Sequence, residues 1–164
     1  GVALAVVTGC GGPTGDEPPR VTPVAQGHAV TRPAALDLTR ATGEDMCELV
    51  AGASALGSLG LSAGGTPVTG QDGLPSKSCW FDGDTGLLVS AQGPGTEAFG
   101  EERVDIAGAS GWRRLRGGDP GDCTMVVGVR EAALQIVVTR PGADERQCAT
   151  AKAVTTHALA RVAR

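Results

Sequence analysis

The stretch that decides the fold is residues 124–163, which read TMVVGVREAALQIVVTRPGADERQCATAKAVTTHALARVA. Its first half predicts two β-strands, 124–130 and 134–139, joined as a hairpin across Glu131-Ala132-Ala133. Its second half predicts a helix over 143–163, because apolar or small side chains recur there at helical spacing. These positions are Cys148, Ala151, Thr155, Ala158, Leu159 and Val162. A hairpin followed by an amphipathic helix indicates a sheet with a helix packed on it.

The residues before this stretch predict further elements. They are, in order, a helix over 43–57, a Gly- and Pro-rich loop over 61–77, strands 78–81 and 86–91 joined as a hairpin, and strands 104–108 and 112–116. This order predicts an α+β fold, in which an antiparallel sheet carries one N-terminal helix and one C-terminal helix.

The composition excludes several classes of protein. The chain has 164 residues, which suits one globular domain, and a net charge of −4. An acidic balance with only 2% aromatic residues argues against a nucleic-acid groove, which needs basic and stacking side chains. Two histidines leave little room for a histidine-rich metal site, and no motif predicts a cofactor.

The first ten residues predict export and lipid attachment. Residues 1–9 are apolar and uncharged, too short to span a bilayer, and typical of the end of a signal peptide. Val7-Thr8-Gly9-Cys10 resembles a bacterial lipobox, in which the cysteine receives fatty acyl groups and becomes the new N-terminus. We therefore expect Cys10 to be the lipid attachment site. The alternative is a buried apolar strand that ends in an ordinary cysteine.

Residues 10–35 are predicted to comprise the lipidated cysteine and a tether. It is rich in Pro and Gly and has no apolar period, so it has too little apolar surface to fold. His28 lies in it and is expected to be a solvated linker residue. The remaining residues, 36–164, are predicted to form a single globular domain.

Four cysteines lie in the predicted domain: Cys47, Cys79, Cys123 and Cys148. An exported protein meets an oxidising environment, so an even number of cysteines predicts two disulfides. Three pairings are possible, and the sequence alone does not choose among them. We favour Cys47–Cys79 and Cys123–Cys148, because each pair joins a predicted helix to a neighbouring strand region.

Acidic residues give the first weak candidates for chemistry. Asp82-Gly83-Asp84-Thr85-Gly86 resembles the start of a calcium loop, but Gly93 stands where a bidentate glutamate is needed, so a plain turn is expected. Two acidic pairs, Glu101-Glu102 and Asp119 with Asp122, lie in polar contexts that favour solvated surface over acid–base catalysis.

Basic residues give the second group of candidates. Arg113, Arg114 and Arg116 surround Trp112 and could contact anionic lipid head groups or wall polymers. A strand would place Arg113 on one face and the other two arginines on the opposite side, so a solvated sheet face is the simpler interpretation. His157 is expected on the wet side of the last helix, without a catalytic role.

The cysteine contexts also point to a family. They are Asp45-Met46-Cys47, Cys79-Trp80-Phe81, Cys123-Thr124-Met125-Val126-Val127 and Cys148-x-x-Ala151. Behind a lipobox and a Pro-rich tether, they resemble the actinobacterial lipoproteins grouped as domain of unknown function 3558. The chain departs from that pattern at Met46, usually proline, and at Phe81, usually tryptophan. The resemblance covers most of residues 36–164 and implies extracytoplasmic location and disulfide bridging, with no established activity.

The predicted function is a binding module rather than an enzyme. We expect an exported lipoprotein, anchored on the outer face of the cell membrane, that binds an envelope protein, a wall polymer or a small ligand. Two alternatives stay open. A hydrolase acting on the cell wall requires two facing acids in a cleft, and a lipid carrier requires a large apolar cavity. The oligomeric state is not predicted.

Overall fold

A seven-stranded antiparallel sheet forms the centre of this protein, in a computed structural model that describes residues 33–61, 64–68, 77–98 and 100–164. Across the sheet the strand order is β1-β2-β3-β7-β6-β5-β4. The strands are β1 (Thr66–Val68), β2 (Ser78–Phe81), β3 (Gly86–Gln92), β4 (Glu102–Ile106), β5 (Ala109–Arg116), β6 (Asp122–Val129) and β7 (Ala132–Thr139).

The α-helices pack on one face of this sheet. They are α1 (Gly43–Val50), α2 (Ser54–Ser58) and α3 (Glu145–Leu159), and a short 3-10 helix covers Thr96–Ala98. Apolar side chains of α1, α3 and the sheet form one continuous core. The predicted α+β class, with an antiparallel sheet and helices near both ends, is therefore confirmed. Within the described residues, no helix has the length and apolar character that a bilayer crossing requires.

The β6–β7 hairpin lies at the centre of the sheet, as its sequence predicts. Alternate residues such as Leu134, Ile136 and Val138 are fully buried on the helix side, because side chains alternate between the two faces of a strand. The turn is tighter than predicted: Val129 pairs with Ala132, and Arg130 has a positive φ of 56°. A two-residue hairpin loop needs such left-handed backbone, so Ala132 and Ala133 belong to the strand.

The predicted helix 43–57 is wrong, because the chain forms two helices with a break between them. α1 begins with a capping box, in which the Thr42 hydroxyl accepts from the Asp45 amide and the Asp45 carboxylate accepts from the Thr42 amide. The break lies at Ala51–Ala53, where Gly52 has a φ of +78°. Since only glycine adopts this conformation without strain, Gly52 ends α1 before the helical pattern does.

Other differences from the predicted elements lie at the sheet edges and at the end of α3. The predicted loop 61–77 contains the edge strand β1, which pairs with β2. The strands predicted at 104–108 and 112–116 form one hairpin, β4–β5, whose turn has positive φ at Ala107 and Gly108. α3 begins at the Asp144 N-cap and ends at Leu159, before the predicted end, because Val162 pairs with Leu36 instead.

Two disulfides join helices to the sheet, and both pairings are those that the sequence favours. Cys47 on α1 bonds Cys79 on β2, with 5.1 Å between their Cα atoms. Cys148 on α3 bonds Cys123 on β6, with 5.2 Å between their Cα atoms. Each therefore fixes one helix to the covered face of the sheet.

Candidate functional site

An apolar pocket of about 580 Å³ lies at the corner between α1, α2 and β2. This volume falls within the range of small-ligand sites. Its apolar lining consists of Ala51, Ala53, Leu56, Leu61 and Phe81, with the Cys47 side of the first disulfide as one wall. We refer to it below as the α2 pocket.

The turns on both sides of α2 make this pocket. Gly52 turns the chain away from the axis of α1, and Gly60, with a φ of +71°, ends α2. Leu61 then folds back, and its amide donates to the carbonyl oxygen of Leu56 at 2.9 Å. Leu56 and Leu61 are thereby held side by side in the pocket wall.

The inner wall of the α2 pocket requires a glycine. A Cβ atom at Gly65 would lie 2.2 Å from the Cys79 Sγ atom and 2.8 Å from the Phe81 ring. The chain at Gly65 therefore passes directly over the disulfide and the aromatic ring. By contrast, a Cβ atom at Gly57, on the α2 side, meets nothing within 4 Å.

Arg161 holds the end of α1, which forms one wall of the α2 pocket. The Nη1 atom of Arg161 donates to the carbonyl oxygens of Glu48, Leu49 and Ala51, at 2.6, 3.1 and 3.2 Å. The last carbonyls of a helix have no partner within it, so this arginine caps α1 from a distant part of the chain. Since Glu48 and Ala51 line the pocket, the cap also fixes their backbone.

The chemistry of the described pocket lining favours apolar contact. Glu48 is its only ionisable side chain, and it is exposed. Ser54 supplies a hydroxyl group at the exposed start of α2. The buried part of the lining, Ala53, Leu56, Leu61 and Phe81, gains from removing apolar surface of a ligand from water.

A second, smaller pocket of about 310 Å³ lies between α3 and strands β4 and β5. Arg113 and Glu145 belong to its lining. The Nη1 atom of Arg113 is 2.6 Å from Glu145, and its Nε atom is 2.7 Å from Glu102 on β4. These hydrogen bonds to Glu145 and Glu102 raise the pKa of Arg113. The guanidinium thus binds both carboxylates and connects the start of α3 to the edge of the sheet.

The basic cluster of the sequence is divided between the two faces of the sheet, as a strand predicts. Arg113 points to the helix side, where it binds Glu102 and Glu145. Arg114 lies on the opposite side, with its guanidinium carbon 5.9 Å from the centre of the Trp112 ring. Arg116 is exposed on that same side.

The acidic candidates are not among the described lining residues of the α2 pocket, although a Cβ atom at Gly83, between Asp82 and Asp84, would lie 2.8 Å from the Leu61 side chain. Asp82 and Asp84 are exposed in the connection between β2 and β3. Glu101 and Asp119 are exposed, and Asp122 accepts a hydrogen bond from Thr124. Within the described ranges, no group of three His, Cys, Asp or Glu side chains is placed to hold a metal ion.

The prediction of a solvated His157 is wrong. Its side chain is only partly exposed, and its Nε2 atom is buried without a hydrogen-bond partner. α3 packs against α1 and α2 as well as the sheet, so its buried surface is wider than the apolar stripe indicates. Cys10 and His28 lie outside the described residues, where their predicted roles stay predictions.

The α2 pocket was not predicted from the sequence, although the sequence carries a sign of it. No charged residue occurs from Leu49 to Gln71, in a chain in which 20% of the residues are charged. An uncharged stretch rich in Gly, Ala and Leu marks a candidate contact surface. Phe81 lies in the pocket wall because β2 pairs with its neighbouring strands. No local sequence pattern indicates that position.

Comparison with known proteins gives one family. A family model described as "Protein of unknown function (DUF3558)" matches residues 5–161. No curated protein and no solved structure matches the chain.

Proposed function

This chain belongs to the DUF3558 family, whose description assigns no function, and we propose that it is an exported, membrane-anchored protein that binds an apolar ligand in the α2 pocket. The single observation that carries the binding role is the pocket itself. Its volume of about 580 Å³ and its lining of Leu56, Leu61 and Phe81 suit a ligand with an apolar group.

The rigidity of the pocket walls supports this role. The Cys47–Cys79 disulfide, the Arg161 cap on α1 and the close packing of Gly65 hold three sides of the pocket in place. A wall that is already fixed loses little conformational entropy when a ligand binds.

Two features support export and anchoring. Disulfides persist in oxidising compartments and are rare in the cytosol of most organisms, and this chain has two. The lipobox-like Val7-Thr8-Gly9-Cys10 supplies a cysteine for acylation. More than one acyl group on Cys10 would hold the protein on the outer face of the cell membrane.

Ligand binding is tested with N-phenyl-1-naphthylamine, an uncharged apolar probe that fluoresces when it leaves water. We expect the full chain to bind it, and Gly57→Phe to weaken binding about tenfold, because the new ring occupies the pocket. Gly117→Phe is the matched control, since a Cβ atom at Gly117 also meets nothing within 4 Å. Equal binding by both variants would exclude the α2 pocket as the site.

Anchoring is tested separately in the native host. Wild-type protein should sediment with membranes, and Cys10→Ala should appear in the soluble extracytoplasmic fraction, because it lacks the acylated thiol. A variant that stays membrane-bound would contradict anchoring through Cys10 and leave the binding role unaffected.

A further inference from the structure

The exposed surface that α2 and the turn before it contribute to the pocket carries no charge, whereas the α1 side of the lining carries the exposed Glu48. Ala51, Gly52, Ser54 and Ser58 are exposed there, and the sequence has no Asp, Glu, Lys or Arg from Leu49 to Gln71. A charged group must lose water when it approaches an apolar phase, and this loss is costly. The α2 side of the pocket therefore meets the acyl region of a lipid layer at low cost, while Glu48 on the α1 side stays in water.

The described chain enters the domain close to the same pocket. The Leu36 amide donates to the Arg161 carbonyl oxygen at 2.9 Å, and the Ala163 amide donates to the Leu36 carbonyl oxygen at 2.8 Å. The side chain of Arg161 reaches the carbonyl oxygens of Glu48 and Ala51, two residues of the pocket lining. Arg161 thus contacts the entry point of the chain through its backbone and the pocket lining through its side chain.

If Cys10 carries the lipid anchor, the distance from Cys10 to the entry point of the chain limits how far the pocket can lie from the membrane. The 23 residue-to-residue steps from Cys10 to Pro33 (33 − 10) span at most about 80 Å. The entry point at Leu36, and with it the α2 pocket, then stays within reach of the membrane surface. Lipid is the apolar compound most concentrated at that place.

We propose that the α2 pocket holds one acyl chain of a phospholipid from the membrane to which the protein is anchored. This inference rests on the proposed function and names its ligand. The acyl chain contacts Leu56, Leu61 and Phe81 and needs no counter-charge from the lining. The head group stays outside, beside the uncharged surface of α2.

The test uses the full chain carrying Cys10→Ser, so that no attached acyl group competes for the pocket. N-phenyl-1-naphthylamine is bound first and then titrated with monomeric lysophosphatidylcholine or with glycerophosphocholine, the same head group without an acyl chain. We expect displacement by lysophosphatidylcholine alone. Gly57→Phe should weaken displacement about tenfold, and Gly117→Phe should leave it unchanged.

The outcomes separate this inference from the proposed function. If the probe binds and lysophosphatidylcholine does not displace it, the acyl-chain assignment fails and apolar ligand binding stands. If the probe itself does not bind, both fail. Displacement by glycerophosphocholine, or by an apolar peptide in place of the lysolipid, would overturn the assignment and point to a head-group site or a protein partner.

A second arm identifies the source of the acyl chain. The same protein is incubated with vesicles that contain phosphatidylcholine and oleate, recovered by gel filtration and extracted. Recovery of phosphatidylcholine supports a membrane lipid, whereas recovery of oleate alone would overturn that source. Ser58→Glu, which places a charge beside the pocket, should reduce recovery several-fold, and Thr156→Glu on exposed α3 surface should not.

Discussion

The two faces of the central sheet differ in what covers them. The covered face lies under α1 and α3, and its inward residues, such as Leu87, Ile136 and Val138, are completely buried. Both disulfides lie on this face. On the open face no described α-helix packs, and residues such as Leu88 and Val137 are only partly buried.

The open face is ordered by local contacts between neighbouring strands. Ser90, Gln92 and Gln135 form a hydrogen-bonded group, in which the Gln92 amide donates to the Gln135 side-chain oxygen at 2.6 Å. Trp80 lies against the backbone of Gly86. The Trp112 indole donates to the Thr96 carbonyl oxygen at 2.8 Å, which connects the 3-10 helix to this face.

Most of the apolar burial that stabilises the fold lies on the covered face of the sheet. Full burial of an aliphatic side chain contributes about 1.5–3 kcal/mol, and most fully buried aliphatic residues belong to the covered face. Substitutions of equal chemistry should therefore destabilise the protein more on the covered face than on the open face. The predictions below test that contrast.

The largest contrast is expected for a buried charge. Val154→Asp on α3, where the side chain is 0% exposed, should destabilise the fold by about 4 kcal/mol or more, because an unpaired carboxylate enters the core. Val137→Asp on the open face should cost about 1 kcal/mol. Urea denaturation followed by circular dichroism measures both, and equal losses would contradict the contrast.

Disulfide removal should have the next largest effect. The residue separations of 32 and 25 give a chain-entropy contribution of about 3.5 kcal/mol for each bridge. Cys123→Ala with Cys148→Ala, and Cys47→Ala with Cys79→Ala, should each lower the free energy of unfolding by that amount. Denaturation in guanidinium chloride without reductant provides the measurement. A loss below about 1 kcal/mol for either pair would show that packing alone holds that helix.

Two glycine substitutions compare tight packing on the two faces. Gly65→Ala places a Cβ atom against the Cys79 sulfur and the buried Phe81 ring and should cost about 2–3 kcal/mol. Gly86→Ala meets Trp80, which is partly exposed and has room to move, so a cost of about 1 kcal/mol is expected. Thermal unfolding checks the order, and Gly57→Ala, in open space, serves as the stabilising control.

The smallest effect is expected for the pH dependence of stability, through Asp144 at the start of α3. The hydrogen bonds from the Arg146 side chain and backbone amide lower the pKa of Asp144. Because the folded pKa lies below the unfolded one, this contribution to stability is present above the unfolded pKa, near pH 4, and is lost as pH falls through the folded pKa. Asp144→Asn should therefore flatten the decrease in stability below pH 4, measured by urea midpoints. An unchanged pH profile would contradict this role.

Much of the fold was predictable because it depends on short sequence patterns. The alternation of apolar residues identified β6 and β7, and the helical spacing of Cys148, Ala151 and Ala158 identified α3. When the helices pack on the sheet, each cysteine on a helix lies near a cysteine on a strand. The two disulfide pairings follow from that proximity.

Errors arose where one backbone angle or a distant contact decided the structure. Gly52 divides the predicted first helix through its positive φ, which no periodicity indicates. The chain leaves α3 at Leu159 because residues near Val162 pair with Leu36, far away in sequence. His157 is partly buried although it lies outside the apolar stripe of α3.

Hydrophobic period and local spacing encode the α+β class and the order of most elements, so both could be predicted from the sequence, which favoured one cysteine pairing without excluding the other two. Only the tertiary structure decided the α2 pocket. Its walls come from a glycine turn, a strand residue at Phe81, a disulfide and the Arg161 cap, which lie far apart along the chain. Such a site depends on distances between elements, and local sequence patterns do not encode those distances.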